Sequence, residues 1–320
     1  MEPVRRTVRA VRILARDGKL PRWLRTRGAA LVHVTNCFLP LRRPCPGVLT
    51  IHDLAFEAIP QDFSQITGRK YRLITPRAAR SAELVICPSA FTRDDVCARY
   101  GVDPARMRVI AEAPALPRLE PEGPAHPGSE GPARPGSEGS SLPGGAAPFL
   151  LAVGDLRRKK NLESLVVAFA GLWREGAIPH RLVLAGVDAG EGPRLRELAG
   201  DAPLELRGYV DDRALDRVIR RADLLVHPSL YEGFGLVVLE AMARGTPVLA
   251  ARAGALPETG GDAAAYFDPP GPDSLREALA ELLGDAERRG RMASLGRDWA
   301  ARFSWERTAR ETVAVYRELL

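Results

Sequence analysis

Two glutamates stand eight positions apart in YEGFGLVVLEAMARGTPV, residues 231–248, with Glu232 before a Gly-Phe-Gly turn and Glu240 after it. The preceding ADLLVHPS (222–229) reads as a short buried strand, and LVVLEAMAR (236–244) as a helix ending at Gly245. The segment is therefore strand, tight loop, helix. Gly233 and Gly235 let the backbone around Phe234 approach a ligand, and the free N–H groups of the helix start favour an anion by about 0.3–1 kcal/mol. Beside such an anion, Glu232 can accept hydrogen bonds from sugar hydroxyls. Glu240, about one and a half turns into the helix, can accept from ribose hydroxyls. A solvated βα unit explains either glutamate alone, but the whole string reads better as a nucleotide-sugar site.

A second cluster, VGDLRRKKN (153–161), sets Arg157, Arg158, Lys159 and Lys160 between the strand FLLAV and the helical pattern NLESLVVAF. Four successive cations at a helix start oppose the macrodipole, so helix stability explains them poorly. Anion binding explains them better.

These segments resemble the retaining GT-B glycosyltransferases of the large family 4. The resemblance rests on the Glu-x7-Glu string, on VGDLRRKKNLESLVVAF (153–169), RGYVDDRALDRVIRRADLLVHPS (207–229), ALPETGGDAAAYFDP (255–269) and FSWERTARETVAVYREL (303–319). It implies two Rossmann-like domains facing a cleft, with the nucleotide-sugar donor on the C-terminal one. Lys159 and Lys160 stand where the family's basic pair contacts the donor diphosphate. Asp155 occupies a position where members often carry Arg. Tyr209 and Val210 fall where backbone groups border the nucleobase, with core packing equally open for either side chain. His52, in TIHDLAF at a strand end, resembles the histidine that reaches toward the donor sugar. The implied catalytic set is Glu232, His52 and Lys160. The implied donor set is Lys159, Lys160, Val210, Glu232, Gly233, Phe234, Gly235 and Glu240.

No Asp-x-Asp pair stands beside a strand end, and Asp211-Asp212 reads as a cap for ALDRVIR. No metal or cofactor beyond the nucleotide diphosphate sugar is expected. Only five histidines occur, too few at sensible spacing for a metal-dependent phosphohydrolase, and His33, His180 and His227 suit core or surface roles.

Positioning this chemistry takes alternating βα units. LVHVT (31–35), VLTIH (48–52), ELVIC (83–87) and MRVI (107–110) read as strands around helices at 64–81 and 90–100, the second capped by Ser89. FLLAV (149–153), RLVLAG (181–186), LELRG (204–208), DLLVH (223–227), PVLAA (247–251) and AAYF (264–267) alternate with helices near 161–175, 190–199, 212–221, 236–244, 272–283 and 285–302. Such alternation predicts parallel sheets covered on both faces, with ligands beyond the carboxyl ends of strands. The expected organisation is an N-terminal domain over 1–116, a donor domain over 149–302, and a C-terminal helix over 303–320 that in the family crosses back to the N-terminal domain. Between the domains, residues 117–148 hold eight prolines and seven glycines, and GPAHPGSE (123–130) is followed directly by GPARPGSE (131–138). A disordered, catalytically silent linker is expected there.

Across 320 residues the hydrophobic content is 45%, enough to bury the cores of two α/β domains. The net charge of +6 is local, because residues 1–28 hold nine Lys/Arg against two acids. Val4, Val8, Val11 and Ala15 recur among those arginines at helical spacing, a short stripe that suits a helix lying against the first domain and leaves peripheral contact with an anionic membrane open. Aromatic residues do not interleave with the charges, which argues against nucleic acid. No apolar run of eighteen residues and no signal-peptide pattern is present, so a cytoplasmic protein is expected. Cys37, Cys45, Cys87 and Cys97 read as reduced structural thiols.

The family's opening strand, glycine-rich loop and helix have no counterpart before about residue 30, so the N-terminal domain is expected to lack its first βα units. Two functions follow. One is transfer of a hexose from a nucleotide diphosphate sugar, with GDP-mannose the first candidate, to a carbohydrate or lipid-linked hydroxyl with retention of configuration. The other is a non-catalytic nucleotide-sugar-binding or partner-binding protein built on a truncated transferase.

Overall fold

The computed structural model describes residues 20–116 and 147–320; the basic segment around Val4–Ala15 and the Pro/Gly-rich stretch up to residue 146 lie outside the described residues. The chain divides into two compact units. One holds the described residues up to Ala111 together with Trp305–Leu320, and the other spans Glu112–Ser304.

The first unit is built on four parallel strands in the order β1-β2-β3-β4: Val32–Val34, Gly47–Thr50, Leu84–Cys87 and Met107–Val109. Every residue of β2 and β3 is buried, as expected of central parallel strands covered on both faces. Ser64 and Ser89 cap the helices Gln65–Ser81 and Ala90–Tyr100 by accepting from the amides three residues on. The C-terminal helix Trp305–Arg317 belongs to this unit: Val315 packs on Val48, Leu84, Ile86 and Ile110. His33 is half-buried with both ring nitrogens engaged, Nδ1 2.6 Å from the Tyr316 hydroxyl and Nε2 2.8 Å from Thr50 Oγ1. All four cysteines are free.

The second unit carries six parallel strands in the order β10-β9-β8-β5-β6-β7. In chain order these are Phe149–Val153, Arg181–Ala185, Leu204–Leu206, Leu224–His227, Val248–Ala251 and Ala265–Phe267. The chain leaves β5 toward β6 on one side, then returns to lay β8 on the other, with Leu150 and Leu151 paired to Leu224 and Leu225. The β5/β8 boundary is thus where the strand order reverses. In an open parallel sheet, the loops leaving two such strands diverge over opposite faces and leave a crevice at their carboxyl ends. Both sequence clusters, 153–161 and 231–248, leave the sheet there.

Candidate functional site

The loop after β5 turns at Gly154, whose φ of +133° suits only glycine, and a Cβ there would lie 3.0 Å from Lys160 Cε. The cations do not open the helix, as the sequence pattern suggested. Arg158–Lys160 form a 3-10 turn, and Asn161 then adopts a left-handed conformation at φ 51° before the helix Leu162–Arg174 begins. Asparagine tolerates that conformation far better than most side chains, so it punctuates the chain and releases Lys160 from the helix surface.

The loop after β8 folds against this turn. The Leu230 amide donates to the Lys159 carbonyl at 2.8 Å, and Lys160 Nζ lies 2.5 Å from Glu232 Oε1. His227, the last residue of β8, places Nε2 3.4 Å from the same carboxylate oxygen and 3.3 Å from Ser229 Oγ. Behind Glu232, the Ala255 amide donates to its carbonyl at 2.9 Å. Gly254, at φ +57°, lets that backbone approach, since a Cβ would come within 2.6 Å of the Glu232 carbonyl oxygen. Phe234 is buried against Phe303, and the Thr259 hydroxyl donates to the Phe234 carbonyl. Gly235 takes φ +101° as the residue before the helix Leu236–Ala243, whose end is marked by Gly245 at φ +75°. The Gly-Phe-Gly turn is therefore pinned on both sides while Glu232 stays fixed beside Lys160.

The electrostatics follow from this packing. Burial by itself pushes the Glu232 carboxyl up, but the Lys160 ammonium, then the His227 ring and Lys159, hold it well below the usual carboxylate range. Burial lowers the His227 pKa, with the Lys160 charge acting in the same direction against Glu232. The centre of the site is thus a carboxylate, an ammonium and a buried imidazole.

Glu240 lies in the fifth position of its helix and is also buried. Its Oε1 accepts from the amides of Ala115 at 3.4 Å and Leu116 at 3.3 Å. Burial raises its pKa, outweighing the two amides and the charge of Arg244. Arg157 and Arg158 are answered by acids, with Arg157 Nε 3.5 Å from Asp155 and Arg158 Nε 3.6 Å from Glu191, at the edge of a groove of about 490 Å³. Asp211 accepts from the amides of Arg213 and Ala214 as the expected helix cap. Tyr209 is 68% exposed, which removes core packing as its explanation, and Val210 beside it is half-buried.

His52 stands in the first unit, two residues beyond β2, exposed, with Nε2 3.1 Å from the Thr35 carbonyl oxygen. Its neighbour Asp53 accepts from the Ala55 amide. Of the residues singled out in the sequence, the structure brings together Lys159, Lys160, Glu232 and the Gly-Phe-Gly turn. Three participants escape sequence reading: His227, Gly254 and Arg244. The dipeptide spacing to Ser229 and the position of His227 at a strand end were the available signals for the first. Nothing local marks the other two.

Two family patterns match the chain. The pattern described as Glycosyl transferases group 1 matches residues 138–299, and that described as Glycosyltransferase Family 4 matches residues 2–112. The chain is 28% identical over 293 residues to the O-antigen chain mannosyltransferase B of Escherichia coli, covering 90% of this chain and 74% of that protein. It is 36% identical over 178 residues to a D-inositol 3-phosphate glycosyltransferase of Corynebacterium urealyticum, covering 52% of this chain and 42% of that one. It therefore spans between about two fifths and three quarters of the length of these relatives. Among solved structures, sucrose-phosphate synthase of Thermosynechococcus elongatus superposes with a TM-score of 0.71 at 23% identity, covering 93% of this chain and 75% of that one. Anabaena Alr3699/HepE, solved in complex with UDP-glucose, superposes with a TM-score of 0.64 at 21% identity, covering 86% and 72%. Two parallel α/β sheets, a lysine and a glutamate meeting at a switch point, and a family pattern spanning half the chain converge on one assignment: the chain is a GT-B-fold member of the glycosyl transferases group 1.

Proposed function

We propose that this protein transfers a hexose from a nucleoside diphosphate sugar to a hydroxyl of a carbohydrate or lipid-linked acceptor, with retention of anomeric configuration. The observation that carries this reading is the 2.5 Å contact of Lys160 with Glu232 at the β5/β8 crevice. It sets a cation for a diphosphate beside a carboxylate for sugar hydroxyls. When the bond between the anomeric carbon and the diphosphate oxygen breaks, negative charge grows on the leaving diphosphate and positive charge on the sugar. Lys160, with Lys159 and the amides of the Gly233-Phe234-Gly235 turn, meets the first charge, and Glu232 orients the sugar. Such preorganised charge is the largest source of rate in many enzymes, and removing one group typically costs about 10²–10³ in rate. Here the cations for the leaving group are side chains, and the reaction as proposed runs without a cofactor.

Glu240 is assigned to the donor ribose. His52 is assigned to the donor sugar and Val210 to the nucleobase edge on the family resemblance. Mannose is the first donor to test, because the Escherichia coli relative is a mannosyltransferase. The fold shared with a protein solved in complex with UDP-glucose supports nucleotide sugars as the donor class. The helix Gln65–Ser81 carries Arg69, Lys70, Arg72, Arg77 and Arg80 with no acid, and Ile66 and Leu73 stand 84% and 58% exposed along its basic side. This composition supports peripheral contact with the anionic inner face of a membrane, from the cytoplasmic side. Among the described residues no helix is long and apolar enough to cross a membrane.

The test is transfer and donor hydrolysis over a panel of GDP- and UDP-sugars, with product anomers read by NMR. Turnover that survives Lys160→Ala at the wild-type rate, or an inverted product, overturns the mechanism. Donor binding without turnover would favour the non-catalytic nucleotide-sugar-binding protein instead.

A further inference from the structure

The Glu240 carboxylate is held by a segment far away in sequence. Residues 115 and 116 belong to neither helix nor strand, yet both amides converge on Glu240 Oε1. What fixes that segment is Arg244, one helical turn beyond Glu240. Its Nη2 donates to the Leu116 carbonyl at 3.2 Å, and its Nη1 donates to the Glu240 carbonyl at 2.9 Å. Its Nε donates to Asp216 Oδ1 at 2.6 Å, while Asp216 Oδ2 takes Arg220 Nε at 2.8 Å. The side chains of Arg244 and Asp216 are 1% and 2% exposed.

Leu116 is therefore gripped at both ends of its backbone unit. Its carbonyl is bound by Arg244 and its amide by Glu240. An arginine serving only to close the helix end would need only the Glu240 carbonyl, and a pair serving only to neutralise Asp216 already exists with Arg220. The bond to Leu116 is the surplus, and its geometric result is two amides on one oxygen of a buried carboxylate. Two donors on one oxygen fix the torsion of the carboxylate and leave Oε2 for another donor.

We propose that Arg244, anchored by Asp216 and acting through the Ala115–Leu116 backbone, is a positioning residue for the donor ribose: it orients Glu240 so that Oε2 accepts from the ribose hydroxyls. This rests on the assignment of Glu240 to the ribose.

The two claims separate in one binding experiment. GDP and UDP are titrated calorimetrically against the whole chain, each beside its 2′,3′-dideoxy counterpart. The wild type should bind the ribonucleotide more tightly. In Arg244→Lys, which keeps the charge but cannot reach three acceptors at once, that preference should shrink by about three- to tenfold, with little change for the dideoxy nucleotide. Asp216→Asn, nearly isosteric, should give a weaker change in the same direction and supplies the measurement should the lysine variant fold poorly. A purely structural Arg244 would weaken both nucleotides equally and leave the preference at its wild-type value, which overturns the proposal. Glu240→Gln tests the underlying assignment. If its ribose preference equals that of the wild type, Glu240 does not read the ribose and the positioning role falls with it. If the preference collapses in Glu240→Gln but persists in both other variants, only the role of Arg244 is refuted. Failure of the wild type to bind either nucleotide overturns both.

Discussion

Lys160 Nζ and Glu232 Oε1 lie 2.5 Å apart, although the residues are separated by 71 others and carried by loops from different strands. Their side chains are only 15% and 12% exposed, so neither charge is well hydrated without the other. Breaking one half of such a pair costs more than the pair itself contributes, because the survivor is left buried and uncompensated. Lys160→Ala should therefore destabilise the protein and also remove a cation from the donor diphosphate. Lys160→Arg, retaining charge with altered reach, separates these effects. Thermal stability should largely recover in Lys160→Arg while kcat stays depressed by about tenfold or more. Equal recovery of both would reduce Lys160 to a structural partner of Glu232.

The same contact sets an acid dependence. The Glu232 pKa is lowered on folding, so its contribution to stability is fully present above the ordinary value of 4.5 and is lost as the pH falls through the folded value. In Lys160→Met the largest lowering influence on that pKa is gone, and burial then dominates. The stability of this variant, measured by urea unfolding with circular dichroism at constant ionic strength, should therefore fall less between about pH 6 and pH 3 than that of the wild type. An equal fall in the two proteins would mean the pair does not govern the titration of Glu232.

Glu240 carries the opposite sign. Its pKa is raised on folding, so its relative contribution is favourable below 4.5 and is lost as the pH rises through the folded value. At neutral pH the ligand-free protein holds a buried carboxylate whose ionised form is disfavoured. Glu240→Gln should then raise the melting temperature by about 2–4 °C at pH 7, the size expected for about 1 kcal/mol in a domain this large. The gain should vanish near pH 4. Donor binding should weaken in the same variant, the pattern of a site kept at the expense of stability.

Gly254 offers a controlled test of backbone positioning. Gly101 and Gly254 have similar left-handed φ values, +64° and +57°. A Cβ on Gly101 meets nothing within 4 Å, whereas one on Gly254 would meet the Glu232 carbonyl oxygen at 2.6 Å and its nitrogen at 2.7 Å. Both alanine substitutions incur the left-handed penalty of roughly 1–2 kcal/mol. Only Gly254→Ala must also displace Glu232, so it should lose most donor affinity while Gly101→Ala retains it. Similar donor affinity in the two variants would show that Glu232 tolerates the shift.

The fold was legible because its signals are local. Buried runs such as LVIC and LLVH, the capping Ser89 and the glycine at 245 each act within a few residues, and the elements they mark begin and end within about two residues of the expected ones. The family strings also carried Lys160 and Glu232. The chain leaves its helical path at Asn161 through a single left-handed residue, and an unmarked Asn gives no notice of that. His227 looked like one more strand residue, because its importance lies in the loop that folds over it. Arg244 and Leu116 are 128 positions apart in the chain, and no spacing rule links them. Contacts that depend on tertiary closure leave no period in the sequence.

The membrane contact proposed for the basic helix Gln65–Ser81 can be tested by its response to salt. An interfacial helix gains from both buried apolar side chains and attraction to anionic headgroups, and these respond differently to salt. Ile66 and Leu73 lie seven residues apart, hence on one face, with Arg69 and Lys70 between them at helical spacing. In co-sedimentation with vesicles, the wild type should bind phosphatidylglycerol-containing membranes and ignore pure phosphatidylcholine. Arg69→Glu with Lys70→Glu should abolish binding at low salt. Ile66→Ser with Leu73→Ser should leave low-salt binding partly intact but remove the fraction that resists about 0.3 M salt, where the Debye length is shorter than the 8 Å of physiological buffer. Neither pair forms part of the proposed donor site, so transfer to a soluble acceptor should be retained in both variants. Binding that is indifferent to all four substitutions would place membrane contact elsewhere in the chain and leave this helix a solvated surface of the first unit.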